Sequence, residues 1–109
     1  MLKKVNRLAK SKDIQKAFAR GRTFFNPLFN LKAFFTPGTK RFTVVVSTKV
    51  YKRAVDRNRL KRLVREHIRK NLVNYKSGNY LVVAKPSLAG KEKNYVLKAV
   101  SDVLLKITL

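Results

Sequence analysis

The chain has 109 residues, no cysteine and a formal net charge of +22, because 27 lysines and arginines oppose only five acids. This length is that of one domain; the lack of cysteine excludes disulfides and thiolate zinc sites, and the short apolar runs exclude a membrane span. Such self-repulsion in a folded chain predicts a polyanionic partner, so we expect one nucleic-acid-binding domain over residues 1–109, cytoplasmic and without a membrane partner.

The first helix is predicted after a basic lead-in. Ser11 is a candidate N-cap and Gly21 a stop signal. Between them, Ile14, Ala17 and Phe18 fall on one face at helical spacing. We therefore expect a short amphipathic helix between Ser11 and Gly21.

Two strands follow the helix. Residues 28–35 alternate, and one side of this strand is formed by Phe29, Leu31, Ala33 and Phe35. The Thr-Pro-Gly-Thr sequence at 36–39 is a turn signal, and residues 41–47 are rich in β-branched side chains. The pattern predicts a hairpin of these two strands.

The stretch RNRLKRLVREHIRK, residues 57–70, predicts a helix with two different faces. Asp56 is a candidate N-cap, although Ala54 and Val55 could extend the helix backwards by a turn. At about 100° per residue, one face is mostly apolar and is formed by Leu60, Leu63, Val64, His67 and Ile68. The other face is almost purely cationic and is formed by Asn58, Lys61, Arg62, Arg65 and Arg69.

A solvated charged surface is the alternative interpretation of this helix. Solvated faces usually interleave both signs of charge, whereas this stretch contains the single acid Glu66. Arg57 and Arg59 also lie in the first turn, where the helix dipole disfavours cations. Phosphate binding is therefore favoured, and the planar fork of arginine suits phosphate oxygens.

The last part of the chain predicts one more strand, residues 79–84, and a final helix. The core-facing stripe of that helix is formed by Val96, Ala99, Val100, Val103, Leu104 and Ile107. The predicted order is helix, strand, strand, helix, strand, helix, with an extra short strand possible. This order indicates an α+β fold, a two-layer α/β sandwich with a small, mainly antiparallel sheet.

The sequence offers little catalytic chemistry of its own. His67 is the only histidine, the five acids are isolated from one another, and the four glycines form no phosphate loop. We therefore expect no catalytic residue and no metal site on this chain. Most of the seven phenylalanines should be core, but a few exposed beside Lys32 would form a platform on which single-stranded RNA could stack.

A family resemblance is carried by four segments. AVDRNRLKRLVRE (54–66) resembles the Arg-Asn-Arg signature helix of the bacterial ribonuclease P protein subunit, and VSTK (46–49) resembles the strand end that precedes it. NRLAKSKDIQKAFARGR (6–22) resembles the opening helix of that family, and YLVVAKP (80–86) its last strand. The similarity covers nearly the whole chain in the family's order.

The resemblance implies a left-handed βαβ crossover through the signature helix, against the usual right-handed rule. It also implies a function: the protein subunit of a ribozyme that removes the 5′ leader from precursor tRNA. The catalytic groups and Mg²⁺ would then be held mainly by the RNA subunit. We expect a monomer in a 1:1 complex with that catalytic RNA, with precursor tRNA as the second partner.

The resemblance also implies two sets of site residues. The set that binds the RNA subunit is Arg57, Asn58, Arg59, Lys61, Arg62 and Arg65, to which the helical wheel adds Arg69. The precursor-tRNA leader cleft, between the first helix and the sheet, is formed by Ile14, Phe18, Asn30, Lys32, Val82 and Ala84.

Three rival functions stay open at this point. A ribosomal or RNA-chaperone protein fits the charge and size equally well, but it does not explain the Arg-Asn-Arg helix in its whole-chain context. A stand-alone protein nuclease would need clustered carboxylates. A membrane-active cationic protein is disfavoured, because the apolar stripe of the basic helix is narrow and the other elements supply a core for it.

Overall fold

A computed structural model describes residues 2–109. The elements in chain order are α1 (Ser11–Arg20), β1 (Arg22–Phe25), β2 (Phe29–Phe35), β3 (Lys40–Val45), α2 (Ala54–Asn71), β4 (Gly78–Ala84) and α3 (Lys93–Leu104). Short 3-10 turns precede α1 and follow α2, β4 and α3. The predicted α+β class and element order are confirmed, and β1 is the extra short strand.

The four strands form one mixed sheet in the order β1-β2-β4-β3. β2 is antiparallel to both β1 and β4, whereas β3 is parallel to β4. The sheet is therefore mainly antiparallel, as predicted, and α2 makes the crossover between its two parallel strands.

The predicted hairpin of β2 and β3 is wrong, because β4 lies between them. Gly78, the first residue of β4, pairs with Phe35 on one side and Lys40 on the other. Its backbone N–H donates to the carbonyl of Thr39 at 2.6 Å. A side chain at Gly78 would come within 2.8 Å of the Phe34 carbonyl oxygen. Glycine at this position therefore allows β4 to begin between the end of β2 and the start of β3.

The main core lies between one face of the sheet, called here the inner face, and the helices α2 and α3. Its fully buried side chains include Phe29, Leu31, Tyr80, Val82, Val64, Ile68, Val100 and Ile107. The predicted stripe of the last helix is confirmed, since its valines, Leu104 and Ile107 are all buried here and Ala99 packs against them.

Helix α1 lies by itself on the opposite, outer face, over β2 and β4. Ala17 and Leu81 are buried there, outside the main core cluster.

Neither predicted N-cap is the observed one, which lies one residue earlier for α1 and three residues earlier for α2. Lys10 caps α1, because its carbonyl already accepts the first helical hydrogen bond, from Ile14 at 3.0 Å. Helix α2 begins at Ala54, the backward extension left open above, and Arg53 is its N-cap. Asp56 instead lies in the first turn of α2, where a carboxylate is favoured by the helix dipole.

Candidate RNA interface

Helix α2 divides into a buried face and an exposed basic face, as its sequence predicts. Leu60, Val64 and Ile68 are buried against the sheet. The exposed residues of the predicted RNA-binding set are Asn58, Arg59, Arg62 and Arg69, and Lys61 and Arg65 are half-buried at the margin. We call these six residues the basic face.

Arg57 belongs to the predicted set but contacts the chain's own backbone. One nitrogen of its guanidinium donates to the carbonyl oxygens of Tyr51, at 3.0 Å, and Lys52, at 2.7 Å. Arg57 therefore fixes the loop that leads into α2 and is only half-exposed. Arg59, by contrast, presents its charge to solvent.

Two acids on α2 offset part of its charge. Asp56 accepts from Arg53 at 3.0 Å, and this hydrogen bond lowers the pKa of Asp56. Glu66 accepts from Arg69, which lowers the pKa of Glu66 to about 2. Both carboxylates are therefore ionised at neutral pH, and Arg69 is the member of the basic face whose charge is directly paired.

Arg65 lies close enough to Arg7 for the two positive charges to interact. Burial lowers the pKa of Arg65, and repulsion from Arg7 lowers it further. Like charges this near to each other repel, and a bound anion would relieve that repulsion. This pair extends the basic face towards the N-terminal segment, and sequence periodicity within α2 could not reveal it.

The outer face carries lysines stacked on phenylalanine rings. Lys32 lies 5.3 Å from the ring centre of Phe18, and Lys16 lies 5.1 Å from that of Phe34. A third pair, Lys85 and Phe25, has a distance of 5.4 Å. Phe18 and Phe25 are 63% and 73% exposed, so these rings can still stack on a ligand. Cations that could bind phosphate and rings that could stack on bases therefore lie side by side on this face.

The predicted leader cleft is only partly assembled on this face. Asn30 and Lys32 point outwards from β2, towards the side that α1 covers with Ile14 and Phe18. Val82 and Ala84 are 0% and 4% exposed and belong to the main core on the inner face, so their assignment to the cleft is wrong.

The error at β4 is a shift of one residue. Side chains alternate along a strand, and the register pairs Lys32 with Leu81 and Asn30 with Val83. Leu81 and Val83 therefore lie on the outer face, opposite Lys32 and Asn30. The apolar run YLVVA has no polar alternation that could have revealed this, although the alternation of β2 identified its outward residues.

Residues 2–109 offer neither a cluster for a metal ion nor a membrane-spanning helix. No group of three or more histidine or acidic side chains in this part of the chain could hold a metal ion. No helix within the same residues has the length and apolar character needed to cross a bilayer.

Comparison with known proteins identifies the family. The family model described as Ribonuclease P matches residues 2–108. The chain belongs to the ribonuclease P protein family. Among its relatives, the ribonuclease P protein component of a Pseudanabaena species is 39% identical over 84% of this chain and 80% of that protein. The component of Bacillus velezensis is 30% identical over 99% of this chain and 94% of that protein.

Solved structures of the family share the fold. The RNase P protein of Staphylococcus aureus superposes with a TM-score of 0.88 and 23% identity, covering 97% of this chain and 100% of that one. The RNase P protein of Thermotoga maritima gives a TM-score of 0.81 and 27% identity, covering 94% and 98%. Family membership confirms the predicted function, a protein subunit of ribonuclease P in tRNA processing, and does not favour the ribosomal or RNA-chaperone alternative.

Proposed function

We propose that this ribonuclease P protein docks on the catalytic RNA subunit through the basic face of α2 and holds the 5′ leader of precursor tRNA on the outer face of the sheet. The observation that carries the proposal is the separation of two RNA-compatible surfaces. The basic face belongs to a helix packed on the inner face, while the lysine–phenylalanine pairs lie on the outer face. One small domain could in this way contact two RNA molecules at once.

The chemistry of the two surfaces supports different tasks. The basic face has exposed arginines and no aromatic residue, which suits the phosphates of a folded RNA. The outer face combines lysines with exposed rings, which suits a single strand whose bases are unstacked. The 5′ leader, which extends beyond the folded body of the tRNA, is a segment of this kind.

Asn79 supports the same assignment of the outer face. It lies on β4 between Phe34 and Arg41, and its side chain is 8% exposed. Its carboxamide oxygen has no hydrogen-bond partner within residues 2–109. A buried acceptor without a partner costs about 1–3 kcal/mol, which a donor from a bound ligand would recover.

In this proposal the RNA subunit supplies the catalytic groups and holds most of the Mg²⁺. The protein contributes fixed cations, which replace part of the diffuse ion atmosphere and lower the magnesium needed for assembly. It acts in the cytoplasm as one copy per RNA subunit.

Reconstitution tests the proposal directly. Purified protein is added to its cognate RNA subunit and precursor tRNA at limiting Mg²⁺, and cleavage at the 5′ end is measured. We expect the protein to raise the cleavage rate, with the largest gain at the lowest Mg²⁺. An equal rate with and without protein would refute the proposal, and cleavage by protein without RNA subunit would establish a stand-alone nuclease instead.

Phe18→Ala tests the outer face. Because Phe18 is largely exposed, the substitution should leave the melting temperature within about 2 °C of the parent, since surface changes cost little stability. It should weaken binding of leader-bearing precursor tRNA by about tenfold, the equivalent of one lost stacking contact, and leave mature tRNA unaffected.

Val82→Ala is the matched control on the inner face. Val82 is fully buried, so the substitution should lower stability by about 1–3 kcal/mol. Below the melting temperature it should not change the preference for leader-bearing substrate. If Val82→Ala removed this preference and Phe18→Ala did not, the leader could not lie on the outer face.

A further inference from the structure

A groove beside the basic face has no role in the proposal above. It lies between α2 and the start of α3 and has a volume of about 690 Å³. Clefts of about 300–1,000 Å³ hold ligands of drug size, so a nucleoside would fit. Leu63, part of the apolar face predicted above for this helix, is only half-buried and lines this groove.

The lining of the groove combines an apolar surface with a cationic rim. The apolar residues are Tyr51, Leu60, Leu63 and Val96. The cations are Arg59, Arg62 and Arg65 from α2, Lys91 from the segment that leads into α3, and Lys93, the first residue of α3. A ligand that fits this pattern has a flat apolar surface and carries negative charge on both sides of it.

The two acids of the lining favour a ligand that also carries a hydrogen-bond donor. Asp56 and Glu66 accept hydrogen bonds from Arg53 and Arg69, neither of which lines the groove. Five cations against two acids leave the groove net positive, so it attracts anions. A carboxylate has more than one acceptor site, and Asp56 can also accept from a ligand donor such as an exocyclic amino group.

We propose that this groove binds one unstacked nucleobase of the RNA subunit, with the flanking phosphates held by the cations of the rim. The inference rests on the proposed function, because it places a base-binding position next to the phosphate contacts of the basic face. A base supplies the flat surface, its neighbouring phosphates supply the charge, and adenine, cytosine or guanine supplies the amino group. Uracil lacks that donor and is expected to bind less well.

Leu63→Asn tests the groove without changing its charge or the size of the side chain. We expect affinity for the RNA subunit to fall about tenfold, as for one lost base contact. The slope of log affinity against log salt concentration should stay the same, because no phosphate contact is lost. Leu105→Asn is the matched control, since Leu105 is 60% exposed and does not line the groove. It should bind like the parent.

Chemical probing identifies the base. We expect dimethyl sulfate, which reports unpaired adenine and cytosine, or kethoxal, which reports unpaired guanine, to modify in the free RNA subunit a base that saturating parent protein protects and saturating Leu63→Asn protein does not. Leu63→Ala protein should likewise leave this base open to chemical modification. The melting temperature of that variant establishes that it is folded. If no such base is found, or if both Leu63 variants bind within twofold of the parent, the inference is wrong. In either case, parent protein that still binds the RNA and stimulates cleavage leaves the proposed function standing.

Discussion

Replacing Arg62 by alanine is expected to weaken binding to the RNA subunit by about tenfold or more. The slope of log affinity against log salt concentration should become shallower by about one. Arg62 is exposed at the centre of the basic face, and no described acid pairs with it within residues 2–109. A charge-assisted hydrogen bond to phosphate contributes about 1.5–3 kcal/mol, and each lost phosphate contact removes about one unit from the slope. Titrations of labelled RNA subunit at several salt concentrations measure both quantities.

Lys106→Ala is the charge-matched control for Arg62→Ala. Lys106 is exposed on the 3-10 turn after α3 and is no part of the basic face. Its loss reduces the net charge by the same amount, so it should change RNA affinity only slightly. Equal losses for the two variants would mean that binding follows net charge alone and that α2 has no special role.

Replacing Ile68 by alanine is expected to lower the free energy of unfolding by about 2–5 kcal/mol, the usual cost of a cavity left by isoleucine in a core. Ile68 is fully buried on the face of α2 that packs against the sheet. In a domain of this size the melting temperature should fall by at least about 8 °C. Thermal and urea unfolding, followed by circular dichroism, measure the change.

The effect of Ile68→Ala should be confined to stability. Well below its melting temperature the variant should bind the RNA subunit nearly as tightly as the parent, because the basic face is intact. Val73→Ala, at a 76% exposed position just after α2, should leave stability within about 0.5 kcal/mol of the parent. A stable Ile68→Ala protein that bound RNA poorly would place Ile68 in the interface.

The sequence predicts the elements of this fold better than their arrangement. Helical spacing identified α2 and the buried stripe of α3, because burial imposes that period on each helix separately. The pairing of strands depends on distant residues. The turn at 36–39 indicates that β2 and β3 are connected, but it cannot reveal that Gly78 starts another strand between them.

In the candidate site, the distribution of charge could be predicted from the sequence, whereas the contacts of individual side chains could not. The charge pattern of α2 identified Arg62 and Arg69 as exposed, yet a helical wheel cannot show that Arg57 donates to carbonyl groups of the preceding loop. Leu63 has the residue type and position of a core side chain, and only the placement of α3 leaves it on an open groove.

The position of β4 also has a consequence for the order in which the protein folds. Synthesis proceeds from the N-terminus, so β2, β3 and α2 leave the ribosome before the strand that joins them exists. Until residue 84 has emerged, β2 and β3 have unpaired edges where β4 will lie, and such edges favour aggregation. Insertion of a late strand between two early ones also requires contacts between distant residues, which slows folding. The high positive charge of the chain opposes association of these edges until the central strand is in place.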